Sequence, residues 1–338
     1  MVKNKKSASV LHYGKNTTLC RNPVIAVLMK NEKFLAYCCV AAISFLWGTT
    51  FLGIKIGVED FPGFLLAGIR QAAAGLIVIL VCVARGVKWP GWKTTLKLSG
   101  LGILIIGMGN GPVTWAEEHV ESGMAAIVCA LVPIWISLFS VMLLQQRSPG
   151  WKQVAGLLIG FSGIVLVFSD SLGQFANPGY LWGVIFTAIG TFCWGLGSVL
   201  SRRNPPKTDL FFGAGIQMAA AGFVLIAVHA FTGKEFDFAQ VGWKSWTALG
   251  YLILFGSIIA FYCYLYAFSK LPPVLVSVYA YINPLVAVAL GALWLQEPLS
   301  WRVIAGTLVT VGGVYLVSRS SAPKKEPAGN IAAEATQT

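Results

Sequence analysis

Apolar runs long enough to cross a bilayer recur along this chain, each closed by a short polar interval. A hydrocarbon core about 30 Å thick takes about 20 helical residues. Gly63–Ala84 holds Arg70 and Gln71 among otherwise apolar or glycine positions, and Gly123–Leu144 carries no charge. The pattern predicts ten membrane-spanning helices, at 34–56, 63–84, 97–116, 122–144, 151–168, 180–200, 210–231, 247–269, 273–295 and 301–318. Turn residues mark their ends: Pro62-Gly63, Pro90-Gly91, Pro149-Gly150, Pro205-Pro206 and Pro272-Pro273. Residues 1–33 are polar and basic, and 319–338 are rich in Ala, Pro and Lys. Both are expected to be disordered tails.

Composition strengthens the membrane reading. The 338 residues are 56% hydrophobic and 11% charged, where a soluble domain carries about 25% charged. Too little polar surface remains to cover the molecule in water, so the fold class is an all-α integral membrane protein. The net charge of +12 does not point to nucleic acid, because the basic residues fall in short loops. The tails and the loops after spans two, four, six and eight hold 20 of the 25 basic residues. The alternate loops hold Glu59, Asp60, Glu117, Glu118, Glu235 and Asp237, with Lys234 and Lys244 as their bases. The positive-inside rule therefore puts both termini in the cytoplasm, which an even number of spans allows. The seven cysteines are scattered, and His12, His119 and His229 share no metal spacing. Neither a phosphate loop nor a nucleophile elbow is present. No catalytic residue, metal site or cofactor is expected.

The chain also repeats itself. Phe45-Leu46-Trp47-Gly48 returns as Phe192-Cys193-Trp194-Gly195, and the same step carries Gly68–Gly75 onto Gly215–Gly222. Leu131-Val132-Pro133 returns as Ile282-Asn283-Pro284, and Trp151 with Gly156 as Trp301 with Gly306. The halves are 34–168 and 180–318, five spans each. Five is odd, so the second half enters the membrane inverted, with a shared site expected near the midplane.

Charges inside a bilayer cost several kcal/mol, so each is informative. Arg70 lies about two turns into the second span and is expected to face a central cavity; its bland alternative is a tie to helix-end carbonyls. Lys55, near the outer end of the first span, is either a cavity residue or an interface anchor. No acid lies deep in a span, since Glu117 and Glu118 sit at the outer end of the third. That argues for facilitated diffusion or exchange, or for coupling through acids at span ends. Gly107–Pro112 breaks the third span, placing Asn110 and Pro112 in irregular backbone, and Pro133 and Pro284 are read as kinks midway along the fourth and ninth. Asn283 is a polar wall residue at mid-depth. Trp47 and Trp194 either wall the cavity or pack, and Tyr262 and Tyr281 either stack on a ligand or pack.

The series Trp47-Gly48-Thr49-Thr50-Phe51, Lys55 and Arg70, with Ala-Gly at 155–156 and 305–306 and Asn283-Pro284, Leu295 and Glu297-Pro298, resembles the EamA family of the drug/metabolite transporter superfamily. The resemblance covers about 34–318. It implies ten helices with cytoplasmic termini and export of small metabolites, often amino acids or related compounds. In that pattern Trp47, Lys55, Arg70 and Glu297 fall on family positions, whereas Gln146 and Gln217 depart from it. The expected function is alternating-access export of an amino acid or related carboxylate, in a bacterial inner membrane. A sugar-phosphate or nucleotide-sugar exchanger is the runner-up, and a scaffold or sensor the third reading. The partners are a small metabolite and lipid. Oligomeric state is open, and a monomer suits the layout.

Overall fold

The computed structural model describes residues 23–120, 125, 128–145, 149–167, 169, 178–233, 235–294 and 300–320. Among them every regular element is helical. We label them α1 (Pro23–Gly57), α2 (Gly63–Ala84), α3 (Trp92–Ala116), α4 (Val132–Leu144), α5 (Trp151–Val167), α6 (Pro178–Arg203), α7 (Leu210–Phe231), α8 (Trp243–Lys270), α9 (Pro273–Ser277 continued by Tyr279–Trp294) and α10 (Trp301–Ser320). Eight helical stretches are long and apolar enough to cross a membrane, while Val132–Leu144 and Trp151–Val167 are shorter apolar helices. Large apolar side chains such as Leu80, Leu158, Phe231 and Leu308 point outward. Such an exterior, around helices that satisfy their own backbone, defines an integral membrane protein.

Several boundaries differ from the hydropathy reading. α1 begins at Pro23, inside the expected tail, and α3 and α8 begin at Trp92 and Trp243, ahead of 97 and 247. Pro133 does not kink the middle of a helix. A turn at Ala130–Leu131 ends the preceding segment, and Pro133 sits in the first turn of α4, where its missing N–H goes unneeded. Pro112 and Pro284 do lie inside helices. Residues 1–22, 321–338, Gln146 and Glu297 lie outside the described residues.

Repeat mates pack on one another. A Cβ on Gly75 of α2 would lie 2.7 Å from the Ala219 Cα of α7, and one on Gly222 would lie 2.6 Å from the Ala72 Cα. In α5 and α10, a Cβ on Gly156 would meet the Val317 nitrogen at 2.9 Å, and one on Gly306 the Val167 nitrogen at 2.8 Å. Each contact recurs with the halves exchanged, and ascending numbers on one helix meet descending numbers on the other. The mates therefore cross antiparallel, at a separation that only hydrogen side chains permit. Within lipid, such close approach drives helix association, because lipid removes the hydrophobic gain of burying apolar surface.

The first helix of each half packs against the opposite half. α1 runs along α8 and α9, while α6 runs along α3 and α4. The two Trp-Gly stretches explain the fit: a Cβ on Gly48 would be 2.7 Å from that of Val286, and one on Gly195 2.8 Å from that of Trp135. The halves are thus interleaved rather than side by side. α3 and α8 share one more feature, a π-helical segment, Ile103–Gly107 in the first and Leu252–Ile259 in the second.

Candidate functional site

A cavity of about 100 Å³ lies where α1, α2, α3, α4, α6, α8 and α9 converge. Arg70 enters it from α2, 3% exposed. Its Nε donates to Ser257 Oγ at 2.8 Å and its Nη2 to the Gly256 carbonyl at 3.1 Å. Both acceptors belong to the π-helical segment of α8. A π turn widens the helix and shifts its hydrogen-bond register, and such turns concentrate at functional sites. The same Gly256 carbonyl accepts the Trp47 indole N–H at 3.0 Å, so one oxygen ties α1 and α2 to α8. Charge-assisted bonds of this kind contribute about 1.5–3 kcal/mol each and offset the cost of burying a guanidinium. The Arg70 Nη1 is buried without a partner.

The acceptors around that donor are also unpaired. Gln71 Oε1, Asn110 Oδ1 and both carboxylate oxygens of Glu117 are buried on the cavity wall without hydrogen-bond partners. Glu117 is 0% exposed although it stands at the end of α3, as the sequence places it, so an acid at a span end still reaches the cavity. Successive helical residues point about 100° apart. Glu117 accordingly turns inward, while Glu118 turns aside and accepts the Gly63 amide N–H at the start of α2. Lys55 is exposed, and its Nζ donates to the Glu117 backbone carbonyl at 3.3 Å. The cavity thus pairs an available cationic donor with several available oxygen acceptors, suiting a small solute with an anionic end and a hydrogen-bond-donating end.

An aromatic group closes one side. The Trp47 ring stands 5.4 Å from Trp194, 5.4 Å from Tyr264 and 4.8 Å from Tyr279. The repeated tryptophans therefore meet each other and both line the cavity. The Tyr264 hydroxyl donates to Ser198 Oγ at 2.6 Å, while the buried Trp194 indole N–H is left without a partner. Asn283 lines the cavity too, oriented so that its amide nitrogen faces the carbonyls of Ser44 at 2.9 Å and Tyr279 at 2.8 Å. It ties α9 to α1 beside Pro284.

Of the residues singled out in the sequence, Trp47, Arg70, Asn110, Trp194 and Asn283 come together on the cavity. Tyr262 and Tyr281 do not. Tyr262 packs edge-on against Phe211, 5.4 Å away, and Tyr281 is buried with its hydroxyl donating to the Leu157 carbonyl at 2.9 Å. Lys55 stands at the edge, touching Glu117 only through main chain. Gln71, Gly256 and Ser257 were not among the expected site residues, and Glu117 was expected only as a span-end acid available for coupling. The one available signal for Gly256 and Ser257 was a Gly-Ser pair inside an apolar run, Leu252–Ile259.

Outward apolar faces and an inward, mostly apolar cavity that carries a few polar groups are the arrangement of a membrane solute carrier. The chain belongs to the EamA-like transporter family, whose family model matches residues 34–169 and 181–319. It is 38% identical over 281 residues to the uncharacterized inner membrane transporter YedA of Escherichia coli K12, covering 80% of this chain and 89% of that one. Protein PecM of Dickeya dadantii is 29% identical over 292 residues, covering 86% and 92%. A crystal structure described only as that of a protein shares the fold, with a TM-score of 0.70 over 85% of this chain and 97% of its own, at 24% identity.

Proposed function

We propose that this transporter exports amino acids or related small carboxylates across a bacterial inner membrane by alternating access. The observation that carries the reading is the unpaired Nη1 of buried Arg70, set opposite unpaired acceptors in a cavity between repeat mates. A carboxylate at Arg70 would complete a guanidinium that Gly256 and Ser257 already hold in place. In this reading ten spans form two inverted five-helix repeats with both termini cytoplasmic, α4 and α5 being the two short spans. The inner-membrane setting is in keeping with the name of the E. coli relative.

The moving bodies follow from the interleaving. α1, α8 and α9 form one bundle and α3, α4 and α6 the other, with the close-packed pair α2–α7 between them as the pivot and the pair α5–α10 set against α9. Tilting one bundle against the other opens the cavity to each side in turn. Arg70 is the sole Lys or Arg among the described cavity-lining residues, which favours a single carboxylate over the doubly charged phosphate of a sugar phosphate.

The test is a thermal-shift screen of L-amino acids and small carboxylic acids on the purified protein, followed by flux of the stabilising compounds in liposomes. Arg70→Ala should abolish both stabilisation and flux while the variant stays folded in detergent. Wild-type flux in that variant would overturn the assignment.

A further inference from the structure

Glu117 has a property the proposed site does not yet use. It is fully buried, both of its carboxylate oxygens lack hydrogen-bond partners, and they lie on the cavity wall. A carboxylate in such a place is either paired or protonated, since an isolated ion away from water is far costlier than a neutral acid. Among the described residues no cation stands within ion-pair distance of it. Arg70 spends two donors on α8, and Lys55 reaches the Glu117 backbone instead of its side chain.

We infer that Glu117 is a proton-carrying site, neutral while the cavity is closed and empty, which exchanges its proton for a cationic group of the solute. Resting on the amino-carboxylate reading above, it assigns the two ends of the solute: carboxylate to Arg70, ammonium to Glu117. In the exchange the Glu117 O–H bond breaks and its proton leaves to water at the open mouth. An ammonium N–H of the incoming solute then hydrogen-bonds to the carboxylate. Return of a proton from the other side displaces the ammonium, so solute and proton move in opposite directions.

The titratable and charged groups near Glu117 fit this role. Burial favours the neutral form of Glu117, while the charges of Lys55 on α1 and Arg70 on α2 favour the ionised one to a lesser extent. Glu118 and His119 share its turn but are engaged elsewhere, with Gly63 and with the Trp115 carbonyl. Cys129 follows in the chain, Tyr251 lies toward Arg70 on α8, and Tyr279 faces the cavity from α9. From α6 the cavity receives Gly190, Thr191 and Trp194, none of which titrates. The repeat mate of Glu117 is Phe268, so the second half holds no counterpart.

Infrared spectroscopy of the purified protein in lipid tests this without a known substrate. The wild type should show the carbonyl stretch of a neutral, buried carboxylic acid at neutral pH. The band should fade as the pH is raised, vanish in Glu117→Gln, and return displaced in Glu117→Asp. No such band, or a band unchanged in Glu117→Gln, would overturn the proposal. A mixture of L-amino acids in weak buffer should then remove the band and release protons, while the matching 2-hydroxy acids, which lack the ammonium, should do neither. Amino acids that stabilise the protein yet leave the band in place would overturn the exchange. If neither mixture stabilises the protein, the amino-carboxylate reading of the solute falls, and the infrared titration alone decides Glu117.

Discussion

The last turns of α1 and α6 are the same structural position in two copies, and they are used differently. In the first copy Lys55 reaches the carbonyl of Glu117, at the end of α3, with one bond of 3.3 Å from an exposed side chain. In the second, Arg202 sends one Nη1 to the carbonyls of both Phe268 and Leu271, at the end of α8, and stacks over the Phe268 ring at 5.9 Å. Phe268 is the repeat mate of Glu117 and Leu271 that of Val120. Each half therefore carries a latch between its first and third helices, at opposite ends of the molecule. The lysine latch is loose and sits beside a buried acid; the arginine latch is tight and sits beside a phenyl ring. Duplication has preserved the mechanical plan, while the buried charge-bearing residues on the cavity, Arg70 and Glu117, occur only in the first copy. Their mates are Gln217 and Phe268.

The sharpest way to break this comparison is to make the copies alike. Arg70→Gln gives α2 the residue α7 already has, and transport should fall by about two orders of magnitude or more, in line with several kcal/mol of lost anion binding. Flux in liposomes measures it, and Gln217→Ala should leave flux within a fewfold of wild type. Next is the tight latch: Arg202→Ala leaves two helix-end carbonyls without their donor and should cost about 2–3 kcal/mol, seen as a fall in melting temperature. Close in size are Gly75→Ala and Gly222→Ala, each forcing a methyl into the backbone of the facing helix for about 1–3 kcal/mol. These two should be equal within error, because the scaffold contact is the same with the halves exchanged. Lys55→Ala should cost about 0.5 kcal/mol, as befits an exposed single bond.

The smallest effect is a pH dependence at the loop between α1 and α2. Asp60 accepts from Ser245 Oγ at 2.7 Å and from the Gly242 amide at 3.0 Å, and these bonds hold its carboxyl below the ordinary aspartate value. A depressed folded-state value adds stability that is complete above the unfolded value of about 4 and is lost as pH falls through the folded one. Wild type and Asp60→Asn should therefore differ in melting temperature at neutral pH and converge in acid. A difference unchanged in acid would show that Asp60 acts by packing instead.

How much could be read in advance differs between scaffold and site for a physical reason. The Trp-Gly pairs, Gly75 with Gly222, and Gly156 with Gly306 were visible because close helix contact restricts a position to the smallest residues in both copies. Arg70 was visible because a cation in an apolar run has little choice but to face inward. Tyr262 and Tyr281 could not be oriented, since helices with apolar residues on both lipid-facing and protein-facing sides carry no amphipathic signal. Glu117 was legible as a span-end acid but not as the inward-facing one of the pair with Glu118, because only the helix rotation separates the two. The π-helical segments left no mark beyond Gly256-Ser257, because backbone register is not written in hydropathy.

The shared Gly256 carbonyl has a consequence for the making of the protein as well as for its action. Its donor Trp47 lies 209 residues earlier in the chain. At about 5–20 residues per second of synthesis, α1 waits about 10–40 s in the membrane before its partner helix exists. Throughout that interval its indole N–H and the groove at Gly48 are open to lipid and to any neighbouring helix. The first span of this transporter thus waits longest for its partner, and a nascent chain stalled before α8 should be a preferred client of membrane quality control.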